Sequence, residues 1–545
     1  MTDEVCRPGR STGRFILSIV GFALIVILFL IFLAQTPKSR LNVIQFASVF
    51  FFLILMVRYW RAARSAPAEP PATRRSGPSR ELVLALLVST ALYASTLPFY
   101  FVSDDYAHLF TARQPVFETL WSLLTEGQGK GFLRPVGFAS LFFDYYFWYH
   151  WPPAYHLVNL LLHCVGIVGI YFLCKNLGLD PETSATASLI FSIMPIQPEA
   201  VVWIAARFDL LATPLTIWAF VLYLNFRRTG NRQAYLGALV LFLFAMLSKE
   251  SAFAFPLLLV SLEFLVLPDR RIKPVLGFVL LTLLTFSYRW AVLGGIGGYL
   301  DPDGQASAFG IGLGTFEGLL VRAPAQMLLG YNWLQPGVAI PIVLASLTAG
   351  LLLTLALRIN PGSATQDRRR LVWFSLSWIL LASLPAHFLL LVSPGLTNSR
   401  VLYLSSAGAA ILVALLLAGI EQARMRQASK LFLVLLLSVG LFHNLRAWHW
   451  TSQLSHRFLL ELKQLEPAPP PGAEFVFRDL PHTIRGVFFF HAGLEEAVNL
   501  TFDRKDLTAR RESGAPRPAT EANGRPEIKL NWVGTTESLI QRAKD

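Results

Sequence analysis

Long apolar stretches that alternate with short polar segments run through most of this chain of 545 residues. An α-helix needs roughly 20 mostly apolar residues to cross the hydrocarbon layer of a membrane. Thirteen stretches reach or approach that length: residues 15–34, 41–57, 82–100, 156–174, 184–196, 210–226, 234–247, 252–267, 275–293, 338–357, 371–392, 401–420 and 431–445. Membrane barrel strands show alternating instead of continuous hydrophobicity, so the pattern predicts an all-α polytopic membrane protein with about thirteen transmembrane helices.

The distribution of basic residues predicts the orientation of these helices. Arginines precede the first apolar stretch and recur through residues 58–80, and cytoplasmic loops of membrane proteins are enriched in Lys and Arg. We therefore expect the N-terminus and residues 58–80 in the cytoplasm and residues 101–155 outside, in the periplasm if the protein lies in a bacterial inner membrane. Later basic clusters then also fall inside; they lie at 227–232, 270–273, 368–370 and 424–430.

Residues 136–149 (VGFASLFFDYYFWY) are an apolar stretch of a different kind. They are too few to span a membrane, include Asp144 and are rich in aromatic side chains that favour the membrane interface. Counting them as a span would also place the later basic clusters outside. We expect an interfacial helix within one large external loop, residues 101–155.

The composition agrees with a membrane protein. Hydrophobic residues make up 54% of the chain and charged residues only 15%, whereas soluble domains carry about 25% charged residues. The net charge of +13 could indicate a nucleic-acid partner, but the arginines lie in alternate loops, where they set topology and meet anionic lipids. We therefore expect membrane lipids, and no nucleic acid, as partners.

The membrane part of the chain divides into two regions. Residues 1–80 are predicted to hold two transmembrane helices and a basic cytoplasmic loop. Residues 81–450 form the main membrane domain, which includes the 101–155 loop and a glycine-rich external loop at 294–335.

The C-terminal part has a different character. After Trp450 the hydropathy falls, a proline-rich linker follows at 467–471, and short apolar runs indicate strands. Residues 451–545 are therefore predicted to form a small extracytoplasmic domain of mixed α/β type.

Two adjacent carboxylates, Asp104 and Asp105, follow directly on the apolar stretch 82–100 and should lie where a helix meets water. An ionisable residue there costs desolvation energy unless it has a partner or a function, which makes the pair candidates for chemistry. The common alternative is a helix N-cap with a charge in the first turn. Further polar side chains are predicted on the same side: Arg134, His156, Asn159, Glu199, Arg207, Asp209, Lys249, Glu250, Arg289, Asn398 and Arg400.

Carboxylates and guanidinium groups at one membrane boundary suit a reaction on a lipid-borne phosphate. Arginine binds phosphate oxygens in bidentate fashion, and a carboxylate can take the proton of an attacking hydroxyl. Taken singly, Lys249 and Glu250 could be interfacial charges, and His156 and Asn159 could form a packing stripe on one helix face. The convergence of all of them on one side favours a functional site.

The sequence leaves the cofactor unassigned. Asp104, Asp105 and Asp209 could supply oxygen ligands to a divalent cation, but neither an HExxH nor a CxxC motif supports a zinc site. No nucleotide-binding motif is visible.

Six short motifs occur in a characteristic order: DD, RP, YHLVNLLLH, PEAVVWIAARFDLLA, LSKE and RVLYLSSAG. This order resembles the GT-C superfamily of glycosyltransferases that use polyprenyl-phosphate sugars, and most of all the transmembrane, tetratricopeptide-containing protein O-mannosyltransferases and their bacterial relatives. The resemblance covers roughly residues 81–445. The second external turn departs from it, because it reads MPIQPEAV where the family has a histidine-rich version, and the 451–545 domain stands in place of the repeats.

The resemblance implies an inverting transfer of one hexose or pentose from a polyprenyl phosphate to a glycan, lipid or protein acceptor at the outer membrane face. Asp104 or Asp105 matches the acidic motif that supplies the catalytic base. The positions that match the donor and acceptor site are Arg134, Glu199, Arg207 and Asp209. Those that match motifs near the lipid phosphate are Lys249, Glu250, Arg400 and Tyr403.

Two other functions fit parts of the pattern. A transporter or flippase of a lipid-linked sugar would also gather charges near a membrane face, but it should bury coupling residues near the midplane and often shows inverted repeats. A non-catalytic scaffold would use residues 451–545 to hold partners. The glycosyltransferase is favoured because the charges cluster at one face and no repeat is evident.

Overall fold

The computed structural model describes residues 80–127, 131–298, 316–337, 339–358, 366–387, 392–512, 526–535 and 538–542, together with Ile54, Val57 and Arg58. The predicted helix at 15–34, nearly all of that at 41–57, most of the basic 58–80 loop and the centre of the glycine-rich loop lie outside the described residues.

Helices make up most of the described chain. In order they are α1 (Arg80–Tyr93), α2 (Asp105–Ala112), α3 (Val116–Thr125), α4 (Pro135–Trp148), α5 (Pro152–Asn176), α6 (Pro181–Ser192), α7 (Pro198–Val202), α8 (Arg207–Thr229), α9 (Arg232–Met246), α10 (Phe255–Leu265), α11 (Ile272–Leu293), α12 (Ala323–Leu328), α13 (Ala339–Arg358), α14 (Gln366–His387), α15 (Tyr403–Ala418), α16 (Ala423–Lys463) and α17 (Leu494–Phe502).

Local sequence signals mark where many of these helices begin and end. Proline occupies a first-turn position of α4, α5, α6, α7 and α10, where its missing N–H leaves no hydrogen bond unmade. Asp180 caps α6 by accepting from Thr183 N at 2.9 Å. Gly230 follows α8 with φ +72°, a left-handed conformation that glycine adopts without steric cost.

The helical membrane fold that the apolar stretches predicted is present. Among the described residues, six helices are long and apolar enough to cross a membrane: Pro152–Asn176, Ile204–Thr229, Ile272–Leu293, Ala339–Leu357, Ser399–Ala418 and Ala423–Lys463. The other predicted spans in this part of the chain are helices that fall short of that length or apolarity, such as α6 with 12 residues and α10 with 11. The full count of thirteen stays a prediction.

The predicted external loop, residues 101–155, contains the short helices α2, α3 and α4, and its position outside the membrane stays a prediction. α4 has 14 residues, well short of the roughly 20 that a span requires. Its outer face exposes large aromatic rings, among them Phe143, Tyr146 and Phe147, which are 66%, 78% and 62% exposed. Such rings are typical of a helix that lies in the membrane interface.

The last long helix continues beyond the final predicted span. That span ends at residue 445, whereas α16 runs for 41 residues to Lys463 and so crosses the domain boundary predicted at 450, which stays a prediction. At 1.5 Å per residue α16 is about 60 Å long, twice the hydrocarbon thickness, so a large part of it projects from the membrane.

The chain after α16 folds into a small α/β unit. Strands β1 (Glu474–Arg478), β4 (Thr508–Glu512), β5 (Glu527–Trp532) and β6 (Ile540–Arg542) form a sheet in the order β4-β1-β5-β6. β1 is parallel to both β4 and β5, and β6 is antiparallel to β5. β2 (Thr483–Ile484) and β3 (Val487–Phe488) form a separate hairpin.

Two hydrophobic cores hold the described chain together. The larger one fills the helix bundle. The second joins the external loop to the α/β unit: Tyr106 of α2 stacks on Phe490 with ring centroids 5.5 Å apart, and Phe458 of α16 lies 4.7 Å from Phe490 and 5.4 Å from Phe477. The α/β unit is therefore packed directly on the loop that carries Asp104.

Candidate active site

Asp104 lies at the N-terminus of α2, directly after a strained backbone position at Ser103 (φ +50°). The Asp104 side chain makes no capping bond to α2. Its Oδ1 accepts a hydrogen bond from the Ser103 hydroxyl at 3.0 Å, and the residue is half-buried. Asp104 therefore occupies the N-cap position of α2, but its side chain does not cap the helix. This leaves the half-buried carboxylate available to a substrate.

Asp105 has a different environment. It is buried, and its carboxylate accepts hydrogen bonds from Val102 N at 2.9 Å and from Ala205 N at 2.7 Å. Burial raises the pKa of Asp105 to about 8, although the two amide N–H groups act in the opposite direction. These bonds join the first external loop to the turn before α8, so Asp105 holds Asp104 in place.

Arg207 is completely buried and engaged by protein groups. Its guanidinium contacts the Asp144 carboxylate at 2.7 Å and donates to Ser140 Oγ and Tyr155 O, both at 3.0 Å, and to Asn159 Oδ1. Because its partners lie on α4 and α5, Arg207 braces α4, α5 and α8 against one another. The structure does not bring it to the open site as a phosphate ligand.

His156 and Asn159 have similar bracing positions on α5. His156 Nε2 lies 3.1 Å from Phe99 O, and Asn159 Nδ2 donates to Val201 O at 3.0 Å. Both side chains are buried, as in the packing alternative of the sequence analysis. They tie α5 to the external segments before α2 and α8.

Tyr403 is buried inside the bundle. Its hydroxyl lies 2.6 Å from His163 Nδ1, and it stands within the candidate span Ser399–Ala418. This hydrogen bond packs α15 against α5 and leaves the hydroxyl engaged within the protein.

A network of charges converges on Glu250. Arg134 Nη2 approaches Glu250 Oε2 at 2.6 Å, and Arg289 Nη1 approaches Glu250 Oε1 at 3.0 Å. Burial would raise the pKa of Glu250, but Arg134, Arg289 and Lys249 outweigh it and hold that pKa well below its usual range. Glu250 is thus an anion between two guanidinium groups, and its side chain remains 26% exposed.

The next residue continues the network. Lys249 Nζ lies 2.9 Å from Asp209 Oδ2, and Arg400 Nε lies 4.0 Å from the same oxygen. Arg400 Nη1 also contacts Glu199 Oε1 at 2.6 Å, and Glu199 accepts hydrogen bonds from the backbone around Arg400. Burial lowers the pKa of Lys249, and Arg134 acts in the same direction. Seven predicted residues therefore form two sets of ion pairs, Arg134–Glu250–Arg289 and Lys249–Asp209–Arg400–Glu199, which meet at the adjacent residues Lys249 and Glu250.

His108 lies close enough to both Asp104 and Arg134 to feel their charges, and it was not among the residues predicted from the sequence. It follows Asp104 by four residues, one helical turn, and its ring packs edge-on against Phe138 and Phe208. Burial lowers the pKa of His108 to about 4, Asp104 acts against this effect, and Arg134 adds to it. The DDYAH spacing was the available signal, because residues four apart share a helix face.

The α/β unit contributes a second set of missed residues. Phe488 at the end of the β2–β3 hairpin lies 5.3 Å from the Trp203 ring, and Arg400 Cζ lies 4.8 Å above Trp203 and 5.9 Å from Phe488. The Ser103 hydroxyl also meets Ala492 O at 3.5 Å. The unit therefore forms one wall of the site, a contact between distant segments that hydropathy cannot indicate.

The possible divalent-cation ligands have protein partners, and a bound cation stays a prediction. Asp105 is bound by two amide N–H groups and Asp209 by Lys249. Within the described part of the chain, no group of three or more His, Cys, Asp or Glu side chains is arranged to hold a metal ion.

Comparison with known proteins supports the resemblance seen in the motifs. Residues 153–290 match the family described as dolichyl-phosphate-mannose-protein mannosyltransferase. Protein O-mannosyl-transferase TMTC3 of Homo sapiens is 30% identical over 162 residues, which cover 28% of this chain and 18% of the relative. TMTC4 of Mus musculus is 25% identical over 414 residues, 60% of this chain and 54% of the relative. The matches thus span between about a fifth and a half of these relatives.

Two solved structures align with this chain at low similarity. ArnT from Cupriavidus metallidurans bound to undecaprenyl phosphate aligns with a TM-score of 0.34 and 11% identity, over 83% of this chain and 93% of that one. The Archaeoglobus fulgidus oligosaccharyltransferase in complex with Zn and sulfate aligns with a TM-score of 0.42 and 13% identity, over 78% and 62%.

Proposed function

We propose that this chain is an integral membrane glycosyltransferase that transfers a sugar, with inversion, from a polyprenyl-phosphate-linked donor to a hydroxyl of a glycan, lipid or protein acceptor. The reaction takes place at the extracytoplasmic face of the membrane. The proposal rests on the position of the half-buried Asp104 carboxylate beside a set of cations. These cations pair with the carboxylates of Glu250 and Asp209.

The cations provide what the leaving group needs. Arg134 and Arg289 share Glu250, and Lys249 and Arg400 share Asp209, so four positive charges lie in one half-buried region. When the bond between the sugar and the phosphate breaks, the electron pair stays on the phosphate. Fixed cations in a region of low dielectric stabilise that charge more strongly than water does.

Asp104 acts as the base in this proposal. As the acceptor oxygen forms its bond to the anomeric carbon, the bond from that carbon to the phosphate breaks on the opposite face, and the acceptor proton passes to the Asp104 carboxylate. Asp105 and Arg207 keep α2 and α8 in register. Of the two carboxylates, the half-buried Asp104 therefore carries the chemistry and the buried Asp105 positions it.

Two observations support a polyprenyl-phosphate-linked sugar as the donor. The family that residues 153–290 match is described by a dolichyl-phosphate-mannose donor and a protein acceptor. A polyprenyl phosphate would place its phosphate at the membrane boundary, where the network lies, and needs no nucleotide site.

The test is sugar transfer by the purified full chain in detergent, with radiolabelled polyprenyl-phosphate sugars and a crude acceptor fraction. Asp104→Asn should lower kcat about 10²- to 10⁴-fold, the usual contribution of a general base, while the amount of folded protein is unchanged. Asp105→Asn should instead lower the yield of folded protein. Glu118→Gln, an exposed carboxylate of the same loop, is the matched control and should behave as the wild type.

Two results would contradict the proposal. One is full turnover by Asp104→Asn, and the other is absence of turnover with every polyprenyl-phosphate donor. The orientation has its own check: a cysteine-accessibility tag at residue 150 should react from outside. Labelling only from the cytoplasm would reverse the face assigned to the site.

A further inference from the structure

The turn before α17 lies directly on the first residues of α2. Gly493, the residue that precedes α17, has φ +74°, a left-handed conformation that glycine adopts without steric cost. A Cβ atom at this position would lie 2.6 Å from Ser103 O and 3.2 Å from Ala107 N. The first distance is far below the roughly 3.5 Å at which non-bonded heavy atoms pack. Only glycine therefore fits between the α/β unit and the start of α2.

α17 also contacts the other end of α2. Arg113, which follows α2, pairs with Asp503, which follows α17, and Nη2 and Oδ1 of the two side chains are 2.6 Å apart. Between the two ends, Leu494 and Val498 of α17 lie in the same buried cluster as Tyr106 of α2. The two helices therefore run side by side in the same direction, and α17 supports α2 along its length.

The Ser103 hydroxyl connects this contact to the candidate base. Ser103 is buried, and its hydroxyl oxygen accepts a hydrogen bond from Ala492 N at 3.3 Å. A hydroxyl has one proton to donate, and the nearer of its two acceptors is Asp104 Oδ1 at 3.0 Å, compared with 3.5 Å for Ala492 O. The backbone of the α/β unit thus orients the hydroxyl that holds the Asp104 carboxylate.

The first turn of α17 is also close enough to Asp104 for their charges to interact. Burial raises the pKa of Glu496, and the charges of Glu495 and Asp104 raise it further. Interactions between charges near a protein surface are largely screened beyond about 10 Å. α17 therefore begins beside the candidate base, in agreement with the contacts of Gly493 and Ser103.

We propose that Ser103 and Gly493 are positioning residues for Asp104. The close approach of the turn at Gly493 places the Ala492 amide on the Ser103 hydroxyl, and this hydroxyl holds the Asp104 carboxylate in one orientation. The inference rests on the proposed function, in which Asp104 is the base. It gives the α/β unit a part in the reaction, because a displacement of about 1 Å at a reacting group can cost about 10²-fold in rate.

The test compares two glycines of the α/β unit that share a left-handed backbone, in the purified full chain in detergent. Gly493→Ala forces the turn away from Ser103, so kcat should fall about 10- to 100-fold while the KM for the polyprenyl-phosphate sugar stays within about twofold. The matched control is Gly472→Ala. Gly472 has φ +67° but open space around it, with no atom beyond its chain neighbours within 4 Å of an added Cβ. This control has the same backbone strain and should keep the kcat of the wild type.

A second variant tests the proposal even if Gly493→Ala does not fold. Ser103 has φ +50°, so Ser103→Gly removes the hydroxyl and relieves the backbone strain at the same time. The unfolding temperature should stay close to that of the wild type, whereas kcat should still fall about tenfold. A residue that only stabilised the fold would not lower kcat in a chain of unchanged stability.

Hydrogen exchange measures the contact without a substrate. Tyr106 N and His108 N donate to Ser103 O and Asp104 O in the first turn of α2. In Gly493→Ala the peptide that covers residues 102–110 should therefore exchange about tenfold faster than in Gly472→Ala. Equal exchange in these two variants, or a wild-type kcat in Ser103→Gly, would overturn the proposal. Absence of turnover by the wild type would instead contradict the proposed function, and the exchange measurement would still decide whether α17 holds α2.

Discussion

At the scale of single residues, the two adjacent aspartates show how neighbours on a chain acquire different roles. Asp105 is buried with two amide donors, whereas Asp104 has a half-buried carboxylate that accepts a hydrogen bond from the Ser103 hydroxyl. Successive side chains on a helix point about 100° apart, so one of the pair had to face the protein. The peptide N–H groups of Val102 and Ala205 would each lose a buried acceptor without Asp105, a loss of about 1–3 kcal/mol per group.

The buried imidazole of His108 makes a pH-dependent contribution to stability. Its pKa in the folded chain is about 4 because burial disfavours the charged ring, whereas an unfolded histidine titrates near 6.5. Below about pH 6.5 the unfolded chain therefore takes up the proton first, and stability falls as the pH is lowered. From these values the loss at pH 5 is about 2 kcal/mol.

The prediction is measured by thermal unfolding in detergent. Between pH 7.5 and pH 5 the wild type should lose more stability than His108→Gln, which has no titrating ring at this site. His449→Gln removes an exposed histidine of α16 and is the control, which should keep the steeper pH dependence of the wild type. Parallel profiles for the wild type and His108→Gln would show that His108 is accessible to protons in the folded chain.

Several site residues could be predicted from the sequence because they stand at ends of apolar stretches, where charge is costly. This reasoning selected Asp104, Lys249, Glu250 and Arg400. The predicted orientation of the helices places all four on the same side of the membrane. The roles of Arg207 and Tyr403 could not be found, because their partners come from other helices. In the sequence, an arginine that binds Asp144 and Tyr155 cannot be distinguished from an arginine that binds phosphate.

At the scale of elements, the apolar stretches predict the positions of the helices more accurately than the residues at which they end. α5, α8 and α11 each lie within a few residues of the predicted spans. α16 continues 18 residues beyond the span predicted to end at residue 445, since hydropathy indicates the membrane-crossing part of a helix and not its full length. Beyond residue 445, α16 keeps buried side chains such as Phe458 and Leu462 on one face, where they pack in the second core and not in lipid.

The β2–β3 hairpin is the element through which the α/β unit reaches the candidate site. Phe488→Ala should lower kcat/KM about fivefold, because it removes the ring that packs on Trp203 and supports the cation–π contact of Arg400. Since Phe488 is only half-buried, the unfolding temperature should change little.

Steady-state kinetics with the radiolabelled donor provide the measurement. Phe488→Tyr keeps the ring and is the matched control, with an expected rate close to the wild type. If both variants lose the same activity, the ring contact is not the cause, and a structural role for the hairpin as a whole would have to replace it.

At the scale of the whole molecule, the second core packs the α/β unit firmly against the predicted external loop that carries the candidate base. Phe475, Phe477, Phe490, Leu494 and Val498 all lie in the same buried cluster as Phe101, Tyr106 and Leu109 of the external loop. Burial of one large apolar side chain contributes about 1.5–3 kcal/mol. Loss of five of them amounts to roughly 10 kcal/mol, comparable to the entire stability of a domain.

Truncation after Lys463 should therefore destabilise the external loop and not only remove a peripheral unit. The expected result is a chain that inserts into the membrane but is polydisperse on size exclusion and inactive, because α2 loses the surface that holds Asp104. Phe477→Ala, which leaves the unit present but creates a cavity at its centre, should cost about 3–5 kcal/mol and lower the unfolding temperature while activity persists below it. A truncated chain that stays monodisperse and transfers sugar would show that the two cores fold independently, and the wall formed by Phe488 would then have no part in catalysis.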